Sequence, residues 1–162
     1  MIDPVIELTL CAALALLFAA AAWHKISDRG RFAASLDAYA LLPAPLVAPS
    51  ALLLAVLECA LVVGRLLAPA RQPAAIASMA LLTLYTGAIA VNLARGRREI
   101  DCGCFVSSAR VPLSLWLVAR NLVLIGAAGL LVAPVRPRPL VWVDSFTLIA
   151  SVLALWLISA AA

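Results

Sequence analysis

Apolar runs of about 20 residues recur along this chain, each long enough as a helix to cross a hydrocarbon core roughly 30 Å thick at about 1.5 Å of rise per residue. They are Pro4 to Trp23, Leu46 to Ala68, Ala74 to Leu93, Leu113 to Ala133 and Leu140 to Ala161. Hydrophobic residues make up 66% of the 162 positions, more apolar surface than a soluble domain of this size has interior to hold. The reading is an all-α integral membrane protein: an antiparallel transmembrane helix bundle of four core spans plus a fifth C-terminal span, forming one membrane domain over 1-162. No Lys/Arg-rich leader precedes the first run, which predicts a retained span rather than a cleaved signal. The net charge of +4 does not point to nucleic acid, because the arginines flank apolar segments as headgroup residues do.

The connectors differ in kind. Pro69 to Pro73 and Pro134 to Pro139 are short Pro/Arg turns, which force antiparallel neighbours. His24 to Pro45 is too long for a turn. Ser27 or Asp28 can cap a short interfacial helix over about 28–42, with Phe32, Leu36 and Tyr39 on one side and Arg29, Arg31, Ser35 and Asp37 toward water. Pro43 and Pro45 are expected to stop it before the second span. It either anchors the bundle end or forms a lid over the next connector.

That connector, 94–112, carries Cys102-Gly103-Cys104-Phe105 among Arg95, Arg97, Arg98, Glu99, Asp101 and Arg110. Two thiols one residue apart, in a polar loop on the same membrane face as the interfacial helix, suggest thiol–disulfide traffic. A Cys-x-Cys disulfide closes a small strained ring, and strain makes a pair oxidising. Gly103 supplies the backbone freedom such a ring needs. A soft-metal site and two small residues in a turn are the competing readings. Against the metal, no His, Met or third Cys is near in sequence to complete a shell, so no metal site is assigned. Cys11 and Cys59 fall inside the first and second spans at comparable depth, where Cys acts as a small hydrophobe.

Charges inside spans call for partners. Glu58 in the second span and Arg120, followed by Asn121, in the fourth are expected to pair and hold those helices together; the functional alternative is a proton relay or a polar pocket for a quinone headgroup below the thiols. No other cofactor is implied. His24 and Lys25 close the first span as headgroup ligands, with His24 also able to move protons during thiol exchange. As the sole lysine, Lys25 reads as a product of Arg-rich coding bias.

The order His24-Lys25-Ile26-Ser27-Asp28, Phe32, Tyr39-Ala40-Leu41-Leu42-Pro43, Leu57-Glu58, Cys102-Gly103-Cys104-Phe105 and Arg120-Asn121 resembles the MauE family of methylamine utilisation proteins, over roughly residues 5 to 132. Val106 departs from the glycine expected after Cys-Gly-Cys-Phe. The resemblance implies a membrane redox partner in maturation, processing or export of the disulfide-rich methylamine dehydrogenase β-subunit. A thioredoxin-like protein, MauD, is the implied companion, and Cys102 and Cys104 the implied working thiols. A non-catalytic membrane scaffold or transport component that docks those proteins is the alternative. The arrangement is also similar, as architecture only, to DsbB and vitamin K epoxide reductase.

The implied location is the bacterial cell inner membrane. Lys25, Arg29, Arg31, Arg95, Arg97, Arg98 and Arg110 outnumber Arg65, Arg71, Arg136 and Arg138 on the opposite face, which by the positive-inside rule puts the thiols in the cytoplasm. Disulfides persist outside it. The chemistry and the resemblance set the expectation: dithiol loop on the periplasmic or outer face.

Overall fold

The computed structural model describes residues 1–100, 112–136, 138–139 and 141–161, with 154–161 as backbone only. Regular structure among the described residues is helical, apart from one isolated parallel bridge between Ile2 and Val135. The helices are α1 (Pro4–Ser27), α2 (Arg29–Ala38), α3 (Ala44–Leu66), α4 (Arg71–Ala94), α5 (Leu115–Leu130) and α6 (Trp142–Ala161), with a 3-10 turn at Ala68–Ala70 between α3 and α4. By length and composition α1, α3 and α4 with its leading turn are each able to cross a membrane. The helix α5 has 16 residues, a rise of about 24 Å.

Local chemistry sets the helix ends. Asp3 Oδ1 accepts from Val5 N at 2.9 Å and caps α1, with Pro4 in the first turn, where its missing N–H costs nothing. Asp28 caps α2, its Oδ1 accepting from Arg31 N at 3.0 Å. After α2 the chain turns through Ala40 at φ 49°, a left-handed conformation that ends the helix. Pro43 and Pro45 were expected to end the interfacial helix; Ala38 is its last residue, and Pro43 and Pro45 open α3 instead, as N-cap and first-turn residue, with Pro49 further inside. Gly96, at φ 73°, ends α4: its N–H reaches Leu93 O and that of Arg97 reaches Asn92 O, both at 3.0 Å.

Helix α1 packs on α3 and α5, and α4 packs on the same two, so the four close a ring; α6 lies outside it, against α1. Three clusters fill the ring. Cys11, Leu14, Ala75, Ala128 and Leu131 occupy one end, and Phe18, Leu61, Ala74, Leu81 and Leu82 the middle. At the other end Tyr39, Ile89, Leu113 and Leu117 pack together, so the chain following α2 supplies the side chain that α1, ending at Ser27, no longer reaches to give. Close approach depends on small residues: a Cβ at Gly64 would stand 3.0 Å from that of Ala74.

The distribution of polarity is inverted relative to a soluble protein. Leu52, Leu53, Val56, Val63, Leu66 and Val123 are more than half exposed, while Lys25, Glu58, Arg65, Ser78, Asn92 and Asn121 are buried. Apolar outside and polar inside is the pattern a bilayer selects as solvent.

Candidate functional site

One stripe of α1 faces the ring's interior: Cys11, Leu14, Ala15, Phe18, Ala22 and Lys25, at the three- and four-residue spacing of one helix face. Lys25 is the last member of that stripe, so its ammonium points inward. It was expected at the headgroups, but only 2% of it is exposed. On α3 the matching stripe runs Val47, Ala51, Ala55, Glu58, Leu61 and Arg65. The two stripes meet at Lys25 and Glu58.

Lys25 Nζ donates to both carboxylate oxygens of Glu58, at 2.7 Å to Oε1 and 2.9 Å to Oε2. Tyr85 on α4 donates its hydroxyl to the same Oε1 at 2.8 Å. Two rings border the ammonium, with Nζ 5.0 Å from the centroid of Phe32 on α2 and 5.5 Å from that of Tyr85. Four helices thus converge on one buried charge pair. The sequence paired Glu58 with Arg120; Glu58 pairs with Lys25 instead, because antiparallel packing of α1 on α3 brings the end of one stripe to the middle of the other. Arg120 is half-buried on α5 and Asn121, next to it, is buried. His24 is half-buried in the last turn of α1. Ser35, expected to face water, turns inward with Phe32 and Tyr39, while Leu36 is only half-buried.

A second buried charge escaped the sequence reading. Arg65 stood there among the arginines of the opposite face, yet it is 2% exposed. Its Nη2 donates to Ser78 Oγ at 2.8 Å, and Ser78 in turn donates to Ala74 O at 2.7 Å. Among the described residues its Nε and Nη1 meet no hydrogen-bond acceptor. Cys11 lies beside this guanidinium, and both Cys11 and Cys59 are free thiols.

At the α2 end, Leu113 N donates to Arg98 O at 3.0 Å, bringing the chain before and after residues 101–111 to one place. Ile100 packs there against the cluster of Tyr39, Ile89, Leu113 and Leu117. Cys102, Gly103, Cys104 and Phe105 themselves lie outside the described residues.

The opposite end is tied by an exposed charge cluster. Ile2 N donates to Pro134 O at 3.0 Å and Arg136 N to Ile2 O at 2.9 Å. Arg138 then bridges α1 and α6: Nε and Nη2 donate to the Asp3 oxygens at 2.9 and 3.0 Å, Nη1 and Nη2 to those of Asp144 at 2.7 and 3.0 Å. The Arg138 bonds, followed by the Val5 N–H, hold the Asp3 carboxyl below its ordinary 3.8.

The family model for methylamine utilisation protein MauE matches residues 3–134, which takes in α1 to α5. The methylamine utilization protein MauE of Paracoccus denitrificans is 41% identical over 128 residues, 79% of this chain and 69% of that protein. That of Methylophilus methylotrophus is 37% identical over 164 aligned positions, 99% of this chain and 85% of its own length, so the likeness extends through α6. The Methylorubrum extorquens protein of that name is 38% identical over 139 residues, 83% of this chain and 74% of its own length. No solved structure matches.

Proposed function

The chain belongs to the MauE family of methylamine utilisation proteins, and from that premise we propose that it serves methylamine utilisation as a membrane redox partner, exchanging disulfides through Cys102 and Cys104. All five long helices, α1 and α3 to α6, cross the inner membrane in this reading, with the dithiol segment on the periplasmic face. The partner is a thioredoxin-like protein of the MauD kind, and the client is the methylamine dehydrogenase β-subunit. The observation that carries it is the mounting of the dithiol segment. Residues 98 and 113 are hydrogen-bonded, and Ile100 and Leu113 pack with Tyr39 on the bundle end. Thiols on a segment whose two flanks are held together at one end of the bundle are suited to meeting a soluble partner there.

The exchange conserves electrons and protons. A partner thiolate attacks the Cys102–Cys104 disulfide, giving a mixed disulfide and one free thiolate; the partner's second thiolate then displaces the remaining sulfur. The partner leaves oxidised and this chain is left as a dithiol, which exchange with a second, oxidised disulfide of the thioredoxin-like class returns to the Cys102–Cys104 disulfide. Glu58, expected within a polar pocket for a quinone headgroup, instead accepts hydrogen bonds from Lys25 and Tyr85.

The second reading is a scaffold or transport component that docks the same partners without thiol chemistry. Serine at both Cys102 and Cys104 separates the two. The redox reading predicts loss of dehydrogenase maturation and of the mixed disulfide trapped with the thioredoxin-like protein, while a scaffold keeps maturation intact. Labelling of Cys102 and Cys104 in intact cells by an impermeant maleimide tests the orientation, with protection from label overturning the periplasmic placement.

A further inference from the structure

Lys25 is the only lysine in a chain whose other basic side chains are arginines or a single histidine. Its surroundings suit a primary ammonium specifically. Glu58 meets it with both oxygens, at 2.7 and 2.9 Å, and Tyr85 donates its hydroxyl to the nearer of them at 2.8 Å. The Phe32 and Tyr85 rings stand 5.0 and 5.5 Å from the nitrogen. A carboxylate combined with two aromatic rings is the chemistry by which proteins recognise alkylammonium ions. A guanidinium is broad and planar and makes its bonds as a rigid fork, so it does not replace a compact ammonium here.

The ammonium also borders α2, which leads into the cluster at the dithiol end. Phe32 belongs to α2, and Tyr39, just after α2, packs with Ile89, Leu113, Leu117 and Ile100. Ile100 and Leu113 lie on either side of residues 101–111.

We propose that Glu58, Tyr85 and Phe32 form an alkylammonium-binding site, with Lys25 as its tethered occupant, and that filling this site seats α2 against both ends of the segment carrying Cys102 and Cys104. Tethering gives Lys25 a high effective concentration, so a free amine enters only when that side chain is shortened. The atoms removed by Lys25→Ala beyond Cβ are those of n-propylammonium. The seating of the thiol segment rests on the redox reading above; the binding site does not, and its test reads stability alone.

Thermal unfolding of the full chain in detergent micelles is followed for the wild type, Lys25→Ala and Lys25→Arg. Millimolar n-propylammonium chloride is compared with methylguanidinium chloride and sodium chloride at equal concentration. The expected result is a lowered midpoint in Lys25→Ala, most of it restored by n-propylammonium and by neither control salt, with the wild type unmoved. A folded Lys25→Ala that does not respond to the amine overturns the site. Where Lys25→Ala yields no folded protein, Lys25→Arg decides: it is expected to be destabilised, and wild-type stability overturns the ammonium selectivity. Phe32→Leu tests the link to α2, since it removes the α2 ring from the ammonium while keeping both members of the ion pair. Maleimide alkylation of Cys102 and Cys104 is expected to change several-fold in that variant, whereas an unchanged rate overturns the seating role. Propylammonium rescue without any change in thiol reactivity therefore keeps the binding site and removes its connection to the thiols.

Discussion

Lys25 and Glu58 meet at 2.7 Å with about 1% or less of either side chain exposed, while Arg138 reaches Asp3 at 2.9 Å with more than a third of both in solvent. The bond lengths barely differ. The surroundings do: burial shuts the Lys25–Glu58 pair away from the solvent that would screen it or solvate a partner left alone, and Arg138 and Asp3 are open to that solvent. Geometry alone therefore does not rank the two clusters. The buried pair is expensive to break from one side and contributes mainly by placing four helices at one point. The exposed clamp is screened by salt and acts locally, where α6 meets the start of α1.

The sharpest contrast comes from breaking the buried pair. Lys25→Met or Glu58→Gln alone is expected to cost about 3–5 kcal/mol of bundle stability, since each leaves a buried charge or polar group without its partner. The double variant is expected to lose distinctly less than the sum, which a double-mutant cycle on detergent-solubilised protein measures. Additive losses would mean that the two residues do not act as a pair. Tyr85→Phe comes next: removing one hydrogen bond to a charged oxygen predicts a loss of about 1.5–3 kcal/mol with the helices still assembled. An unchanged unfolding midpoint would show that the hydroxyl does not support the carboxylate.

The exposed clamp gives the smallest effect, and it responds to conditions that the buried pair ignores. Arg138→Gln is expected to weaken α6 docking at low salt and to differ little from the wild type at high salt. Acid acts on the same contact. The Asp3 carboxyl titrates below its ordinary 3.8 in the folded protein. Its stabilising contribution is therefore complete above that value and is lost as pH falls through the lower, folded one. Hydrogen exchange at the Arg136 amide, which donates to Ile2 O at 2.9 Å, is expected to accelerate in that acid range. Asp3→Asn should reduce the acid response, what remains belonging to Asp144, whose carboxyl Arg138 also holds below its ordinary 3.8; an undiminished response in Asp3→Asn would assign the titration to another group.

The apolar runs made the helices legible because span length is set by bilayer thickness, independently of packing. Which faces turn inward was harder to read. In lipid the outer surface is as apolar as the core, so hydrophobic periodicity is weak and the inner stripe must be sought in small and polar residues. That signal was present: Cys11, Ala15, Phe18, Ala22 and Lys25 keep one phase along α1, and Ala51, Ala55, Glu58 and Arg65 do so along α3. Followed to their ends, the stripes would have placed Lys25 and Arg65 indoors. The pairing of Glu58 was out of reach, because it depends on how far α1 slides along α3, and no single helix encodes that offset. Tyr85 was missed for the same reason, its hydroxyl lying on a third helix at a level only the assembled ring defines.

A chain with one lysine, and that one 2% exposed, has an uncommon chemical fingerprint. Acylating reagents that seek amines find no side-chain target on the native surface. Labelling of Lys25 must wait until α1, α2 and α3 part, so its rate reports the frequency of that opening. The same residue that anchors the interior is thus a built-in clock for its breathing, readable by mass spectrometry without introducing a probe.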